Sequence, residues 1–279
     1  MSDKKNDAFG DKVKELESAS AKVVLDEEQP ICVRLDGKAF HTFTRGLQRP
    51  YDSRLSKAMV DTMNYLVEKT DARLGYTQSD EITLVYFKVA PHQQMYFGAR
   101  VQKLTSVLSS MATAKFNHEV NENIPEKAKN FAFFDCRVWN VPTLQDVADV
   151  FIWRQDDAIK NSVSMAAYSY FSDKILLKKT SQEKKEMLLE KGIDWNQYPD
   201  FFKSGTYAIK KHKEMLLPEE LKNKKGNEGK ETFLRSYIDN FHLDRLRHVD
   251  NPVSVLFDPV FELHQRSIYE RNQRKKQNI

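Results

Sequence analysis

Two hydrophobic periods alternate along the first 140 residues, and this alternation limits the fold more than any other feature of the chain. In "QPICVRLDGKAF", Ile31, Val33 and Leu35 alternate with Cys32, Arg34 and Asp36, the period-two pattern of a half-buried strand, and Asp36-Gly37 ends it. "YDSRLSKAMVDTMNYLVEKT" then carries Leu55, Met59, Met63, Leu66 and Val67 at helical spacing behind an Asp or Ser cap. "EITLVYFKV" is a second strand, "GARVQKLTSVLSSMATAKF" a second long helix with Val101, Leu104, Leu108, Met111 and Ala112 on one face, and "NFAFFDCRVWNV" a third strand region. A helix over roughly residues 10–22 precedes them, and beyond about residue 150 the pattern reads mostly helical. This succession implies an α+β fold, a sheet with one face covered by helices. No internal repeat is present.

Composition removes several classes. Apolar residues at 40% and charged residues at 30% of 279 are the balance of a globular chain, with length enough to bury a core. No apolar run approaches the roughly 20 residues that span a bilayer, and the polar N-terminus lacks a signal-peptide core. The expectation is a cytoplasmic protein with no membrane partner. Cys32 and Cys136 are the only cysteines, each inside an apolar stretch, which predicts core residues rather than a disulfide or zinc framework. The net charge of +4 is carried mostly beyond residue 200, in "KSGTYAIKKHKEML", "LKNKKGNEGK" and the tail "YERNQRKKQNI". Such runs serve either as a solvated face or as a phosphate-backbone surface.

The chemistry starts from two acids. Asp36 ends one predicted strand and Asp80 precedes another, so antiparallel neighbours about 4.8 Å apart would set them side by side. Paired carboxylates suit magnesium, which takes one or two of them plus substrate phosphates and water. Two such ions about 4 Å apart serve phosphoryl transfer. Gly37, without a side chain, lets its carbonyl approach a metal. Each piece alone also has a plain reading: Asp-Gly is a common turn, and Ser79-Asp80-Glu81 a common preface to a strand. Arg100 and Lys103, three apart on a helix, point the same way, either toward a triphosphate or into solvent. Arg49 stands before Pro50 and the helix cap Asp52. "WRQDDAIKN" puts Arg154, Gln155, Asp157 and Asn161 in a helical pattern that predicts a surface helix.

The blocks "VRLDGKAFHTF", "GLQRPYDSRL", "YTQSDEITLVYF", "ARVQKLTSVLSS", "FDCRVWNVP", "FIWRQDDAIKNS" and "GIDWNQYPDFFKSGT" resemble, in that order, the motifs of the tRNA-histidine guanylyltransferase superfamily. The resemblance runs from about residue 30 to residue 210. It implies a palm-like, ferredoxin-like nucleotidyltransferase domain with an antiparallel sheet covered by helices, over residues 26–150. An N-terminal helical arm (1–25) and a mostly helical C-terminal region (151–279) with RNA-facing basic segments around Lys203, Lys210, Lys211 and Lys213 complete the expected division. The implied activity is nucleotide addition to an RNA 5′ end in the 3′-to-5′ direction, with two magnesium ions (Mg2+) and with ATP, GTP and other nucleoside triphosphates as substrates.

By the same resemblance, Asp36 and Asp80 are the metal-binding aspartates, the Gly37 carbonyl is a further ligand, and Glu81 is an accessory catalytic acid. Ser79, Arg100 and Lys103 match triphosphate contacts; Lys38, His41, Asp52 and Asn161 match positions near a nucleotide. Arg49 stands where many relatives have lysine. The chain departs from the pattern after Trp153-Arg154-Gln155, where a His-Ile-Asn-Asn-Leu-Tyr-Asn run is replaced by "DDAIKNSVSM", with Ile159 at the histidine position. In this it resembles instead the guanylyltransferase-like 3′-to-5′ polymerases, which implies templated repair of 5′-truncated tRNA. Three alternatives remain: a strict enzyme adding one guanosine to histidine tRNA, another palm enzyme such as a nucleotidyl cyclase or 5′-to-3′ polymerase, and a non-catalytic RNA-binding protein with a degenerate palm. A homotetramer is also implied.

Overall fold

A first helix, α1 (Ala8–Ala19), buries none of its residues, and the sheet begins after it with the period-two stretch. In this computed structural model, which describes residues 8–19, 21–222, 229–243 and 245–260, that stretch is β1 (Ile31–Gly37). The next elements are a one-turn helix α2 (Phe40–Phe43), α3 (Ser53–Thr70), the hairpin β2 (Leu74–Gln78) and β3 (Glu81–Tyr86), then α4 (Val101–Asn123) and β4 (Phe134–Asn140). Asp52 caps α3 by accepting from the Arg54 amide, satisfying one of the donors a helix start leaves free. The chain continues as α5 (Leu144–Tyr168), α6 (Asp173–Leu176), α7 (Ser181–Glu190), α8 (Asp200–Lys203), β5 (Thr206–Leu216) and β6 (Thr232–Phe241).

The sheet order is β4-β1-β3-β2-β5-β6, antiparallel throughout. Its first four strands with α3 and α4 form the βαββαβ unit of ferredoxin-like folds. Alternation along β1 sorts side chains between two cores. Ile31, Val33 and Leu35 pack with Met59, Met63, Leu104 and Leu108 under α3 and α4. Cys32 joins Val85, Tyr76, Tyr207, Phe151 and Phe257 on the other face, under α5 and the C-terminal segment. Both faces of the sheet are therefore covered, not one. Gly75 is required by this packing: a Cβ there would stand 2.8 Å from a Val67 methyl and 2.9 Å from Met63 Cγ, so β2 lies close beneath α3.

The C-terminal part differs from a mostly helical expectation. Helices run as far as Lys203, but the lysine-rich "TYAIKKHKEML" is a strand, β5, pairing with β2 through Gly75–Ala208 and extending the sheet. Its inner half is buried while its outer half projects with β6 as a two-stranded ribbon. Lys203, Lys210 and Lys211 are engaged within the chain, with Asp200, Asp71 and Asp239 respectively, leaving less free charge than the sequence suggests. The lysine-rich stretch at 223–228, the tail from residue 261 and the first seven residues of the arm lie outside the described residues. Among the described residues no helix is long and apolar enough to cross a membrane. Both cysteines are free, and burial pushes each thiol up to about 12.

Beneath α2, Phe40, Phe43, Phe116 and Phe134 form one aromatic cluster, with ring centroids 5.2 to 5.8 Å apart. Phe116→Ala is expected to destabilise the protein by about 3–5 kcal/mol, the cost of an emptied aromatic core site, and a urea midpoint close to wild type would contradict this.

Candidate active site

β1 and β3 are antiparallel neighbours in the register Asp36–Glu81, and the Gly37 amide donates to the Asp80 carbonyl at 3.1 Å. The acid that ends β1 and the acid in the β2–β3 turn are thereby fixed at one sheet edge. The turn is tight: Gln78 faces Glu81, and Ser79 takes φ 49°, a left-handed conformation that costs a residue with a Cβ about 1–2 kcal/mol. "GYTQSDEITLVYF" is thus both a hairpin turn and a candidate metal site. Gly37 admits no side chain, since a Cβ would lie 2.3 Å from the Phe40 ring. Ala39, at φ 54°, starts α2, which buries Phe40 and Phe43 and leaves His41 exposed toward the site.

A cleft of about 820 Å³ opens in front of these acids, large enough for a nucleotide. Asp36, Gly37, Ser79 and Asp80 form its floor, and His41, Arg49 and Asp52 one wall. The facing wall is one side of α5, with Ala158, Asn161, Ser162, Met165 and Tyr168, capped by Phe201 and Phe202 of α8. Tyr51 packs on Phe202 at 4.8 Å and on Phe201 at 5.3 Å, closing the rim with aromatic rings.

Eight of the expected site residues therefore line a single cleft. Asp52 does so with its carboxylate already committed: it accepts from the Arg54 amide at 3.0 Å and from the Arg54 guanidinium at 2.8 Å, and these bonds hold it below the usual carboxylate range. Four residues are placed elsewhere. Lys38 is exposed, its amide donating to the Phe133 carbonyl. Arg100 and Lys103 lie at the opposite end of the sheet, where Tyr86 stacks on Tyr96; Arg100 Nε donates to the Phe97 carbonyl and Lys103 sits over the Phe97 ring. Glu81 shares the face of Asp36 but pairs with Arg154 Nη1 at 2.6 Å, and Gln78 donates to the same oxygen at 3.1 Å.

Arg154 is a residue that the sequence reading misplaces. The charge pattern of "WRQDDAIKN" predicts a surface helix, yet Arg154 and Gln155 are buried. Arg154 bridges Glu81 and Asp157, and Asn161 donates to that same Asp157 oxygen at 3.2 Å, so a polar chain runs from the hairpin along α5 to the cleft. Gln155 accepts from the Leu246 amide at 2.7 Å and donates to the Leu243 carbonyl at 3.1 Å, anchoring the C-terminal segment. The aromatic rim was missed as well. Its members, Tyr51 on one side and Phe201 and Phe202 on the other, come from two distant segments, and no local period signals them.

The two central acids lack cationic partners at close range. Among the described residues Asp80 has no ion pair, and the one at Asp36 is Arg137 at 3.8 Å. Burial pushes Asp80 up to about 6, with the Asp36 and Glu81 charges adding and the Ser79 hydroxyl opposing. Asp36 is raised too, by burial and then by Glu81 and Asp135, against Arg137 and Arg34. Mutually destabilised carboxylates of this kind fit a hard divalent cation. Among the described residues no group of three or more His, Cys, Asp or Glu side chains is set for a metal, so such a cation would rely on two carboxylates, backbone oxygen, water and substrate, a set magnesium accepts.

Sheet order, helix placement and the position of the acids define a palm-like fold of nucleotidyltransferase type. The sequence profile of the tRNAHis guanylyltransferase family matches residues 10–142. A tRNA(His) guanylyltransferase of Saccharomyces cerevisiae is 30% identical over 199 residues, 65% of this chain and 82% of its own. A bacterial tRNA(His) guanylyltransferase-like protein solved in complex with ATP aligns with a TM-score of 0.69 at 40% identity, covering 72% of this chain and 88% of that one. Another, in complex with GTP, gives 0.68 at 32% identity over 88% of this chain and 99% of that one. The chain belongs to the tRNAHis guanylyltransferase family of nucleotidyltransferases.

Two outcomes follow from the electrostatics. An unfolded aspartate loses its proton near 3.8, whereas folded Asp80 keeps one to about 6. The folded state thus binds more protons between these values, and its stability falls as pH rises through that window. Tm of the metal-free protein should decline across it more steeply than that of Asp80→Asn, and magnesium should reduce the decline; equal slopes for the two proteins would refute this. Arg154→Met should cost about 2–3 kcal/mol, below the range for a fully buried pair, by leaving the half-buried Glu81 without its cation, and Glu81→Leu added to it should recover part of the loss in urea titrations.

Proposed function

We propose that the protein adds nucleotides to the 5′ end of a tRNA in the 3′-to-5′ direction, copying an opposing strand. The observation that carries this reading is the placement of Asp36 and Asp80, tied by the Gly37–Asp80 backbone hydrogen bond, on the floor of a nucleotide-sized cleft. Relatives solved with ATP and with GTP support nucleoside triphosphates as its substrates. The templated choice is favoured by the segment after Trp153-Arg154-Gln155, where Ile159 replaces histidine and where Asp156 is used to hold Arg245 and Arg247 of the C-terminal segment.

In this reading a 5′-phosphate oxygen of the RNA attacks the α-phosphorus of ATP or GTP, and pyrophosphate leaves. The 3′-hydroxyl of an incoming nucleoside triphosphate then attacks the activated RNA phosphate, forming the new phosphodiester as the nucleoside monophosphate departs. Two bound magnesium ions, held by Asp36, Asp80 and the Gly37 carbonyl, would acidify that hydroxyl and neutralise the triphosphate. The Ser79 hydroxyl, His41, Arg49 and Asn161 line the space a nucleotide would fill and provide donors to it. Tyr168, 45% exposed on the α5 wall, offers a ring to a base. Glu81 acts through Arg154, keeping the hairpin and α5 in register. A homotetramer belongs to the same reading: α1 exposes Phe9, Val13 and Leu16 at helical spacing, a stripe a second subunit would cover.

The test is incubation with magnesium, ATP, labelled GTP and a 5′-monophosphorylated, 5′-truncated tRNA, alongside Asp80→Asn. Label is expected at the 5′ end, following the template base when that base is changed, with Asp80→Asn reduced about a hundredfold or more. Label at the 3′ end would overturn the direction of synthesis. Guanosine added regardless of the opposing base would replace templated repair with single-guanosine addition.

A further inference from the structure

The sheet face that carries Asp36 holds a second group of charges one step along β1. There Arg34 stands directly across from Arg137 of β4, with Thr83 of β3 on its other side. Like charges in that position repel, and little offsets them. The Arg34 side chain makes no hydrogen bond or ion pair among the described residues, and its Nε is buried without a partner. Arg137 reaches only Asp135 at 3.5 Å and Asp36 at 3.8 Å. Arg154 enters the same space from α5, and its Nε is also buried and unpartnered. These three arginines wall a cavity of about 280 Å³ that also includes Trp139 and Trp153. Trp153 is 56% exposed, with the Arg154 guanidinium 3.7 Å and that of Arg34 5.9 Å from its ring centroid.

A buried donor with no acceptor costs about 1–3 kcal/mol, and more when it is charged. An anion between Arg34 and Arg137 would give the buried Arg34 Nε an acceptor and, beside the half-exposed Arg137, relieve the repulsion between the two guanidinium groups. The guanidinium fork matches the geometry of phosphate, and an exposed indole beside it presents a stacking surface for a base. We propose that this cavity binds one phosphate-bearing nucleotide, its phosphate on Arg34 and Arg137 and its base against Trp153, and that the occupant is the 5′-terminal nucleotide of the RNA. Residues two apart on a strand are separated by about 7 Å, so a phosphate held there lies within one nucleotide of Asp36. Naming the RNA end as occupant rests on the function proposed above; the anion site itself rests on the arginines alone.

Binding of the full-length protein to a short 3′-fluorescein oligoribonucleotide, with a 5′-phosphate or a 5′-hydroxyl, tests this in EDTA at fixed salt, away from any magnesium at Asp36 and Asp80. Wild type should prefer the 5′-phosphate about tenfold. Arg34→Gln should lose that preference while Arg34→Lys keeps part of it, and Trp153→Leu should weaken RNA binding without weakening competition by inorganic pyrophosphate. Equal binding of both oligonucleotides by wild type overturns the assignment to the RNA end, and if pyrophosphate also fails to compete, the anion site falls with it. An unchanged preference in Arg34→Gln and Arg137→Gln variants that melt near wild type overturns the role of these arginines. Loss of 5′ extension in the labelled-GTP assay with the phosphate preference intact would count against the proposed function and not against this site.

Discussion

The pairing of β1 with β3 fixes nearly everything else, because a strand can change its register only by exchanging its two faces. Shifting β1 by one residue would drive Arg34 and Asp36 into the apolar layer under α3 and α4, and bring Val33 and Leu35 out of it. Each of those aliphatic side chains contributes about 1.5–3 kcal/mol through burial, so the core holds the register and the register holds the charges. The Gly37 amide bond to the Asp80 carbonyl is the last rung of that ladder. The geometry of the acids is therefore a by-product of hydrophobic alternation several residues away, and the acids are kept in place despite their mutual repulsion.

The same alternation explains which parts were legible in the sequence. β1, α3, α4 and β4 each present one clean apolar face, and their period survives folding; β3, buried on both faces, is marked instead by its unbroken run of β-branched, aliphatic and aromatic residues. β2 was not seen as a strand because "LGYTQ" is buried on both faces, so no polar-apolar contrast marks it, and its glycine serves α3 rather than a turn. β5 was read as part of a basic helical region because its outer half leaves the body of the sheet and keeps lysines on both sides. Strand pairing with β2 and β6, not local pattern, decides its conformation.

The candidate site divides along similar lines. Asp36, Gly37, Ser79 and Asp80 were legible because each sits at the edge of a strand whose position the period gives away. Asn161 and Arg49 reach the same cleft from elements whose placement only the ordered resemblance implied. The burial of Arg154 and its pairing with Glu81 escape the sequence for one reason: a charge-charge contact between residues 73 apart has no local signature. Arg100 and Lys103 show the converse. Their spacing does point them the same way, but α4 starts at the far end of the sheet from the acids, and periodicity does not say which end of a helix meets which end of a strand.

The two sides of the cleft belong to different cohesive units. The acids and α2 rest on the aromatic cluster of the first core, whereas the rim residue Phe202 is packed with Phe171, Leu176, Leu188 and Trp195 in a small third core on the far end of α5. α5 is the long rod between them, clamped at its middle by Arg154 and Gln155. The aperture of the cleft is accordingly set by the tilt of a single helix about that clamp. A small rotation there would be carried to the rim over a lever arm of more than three helical turns, against the Tyr51 contacts with Phe201 and Phe202, while the floor is riveted into the sheet.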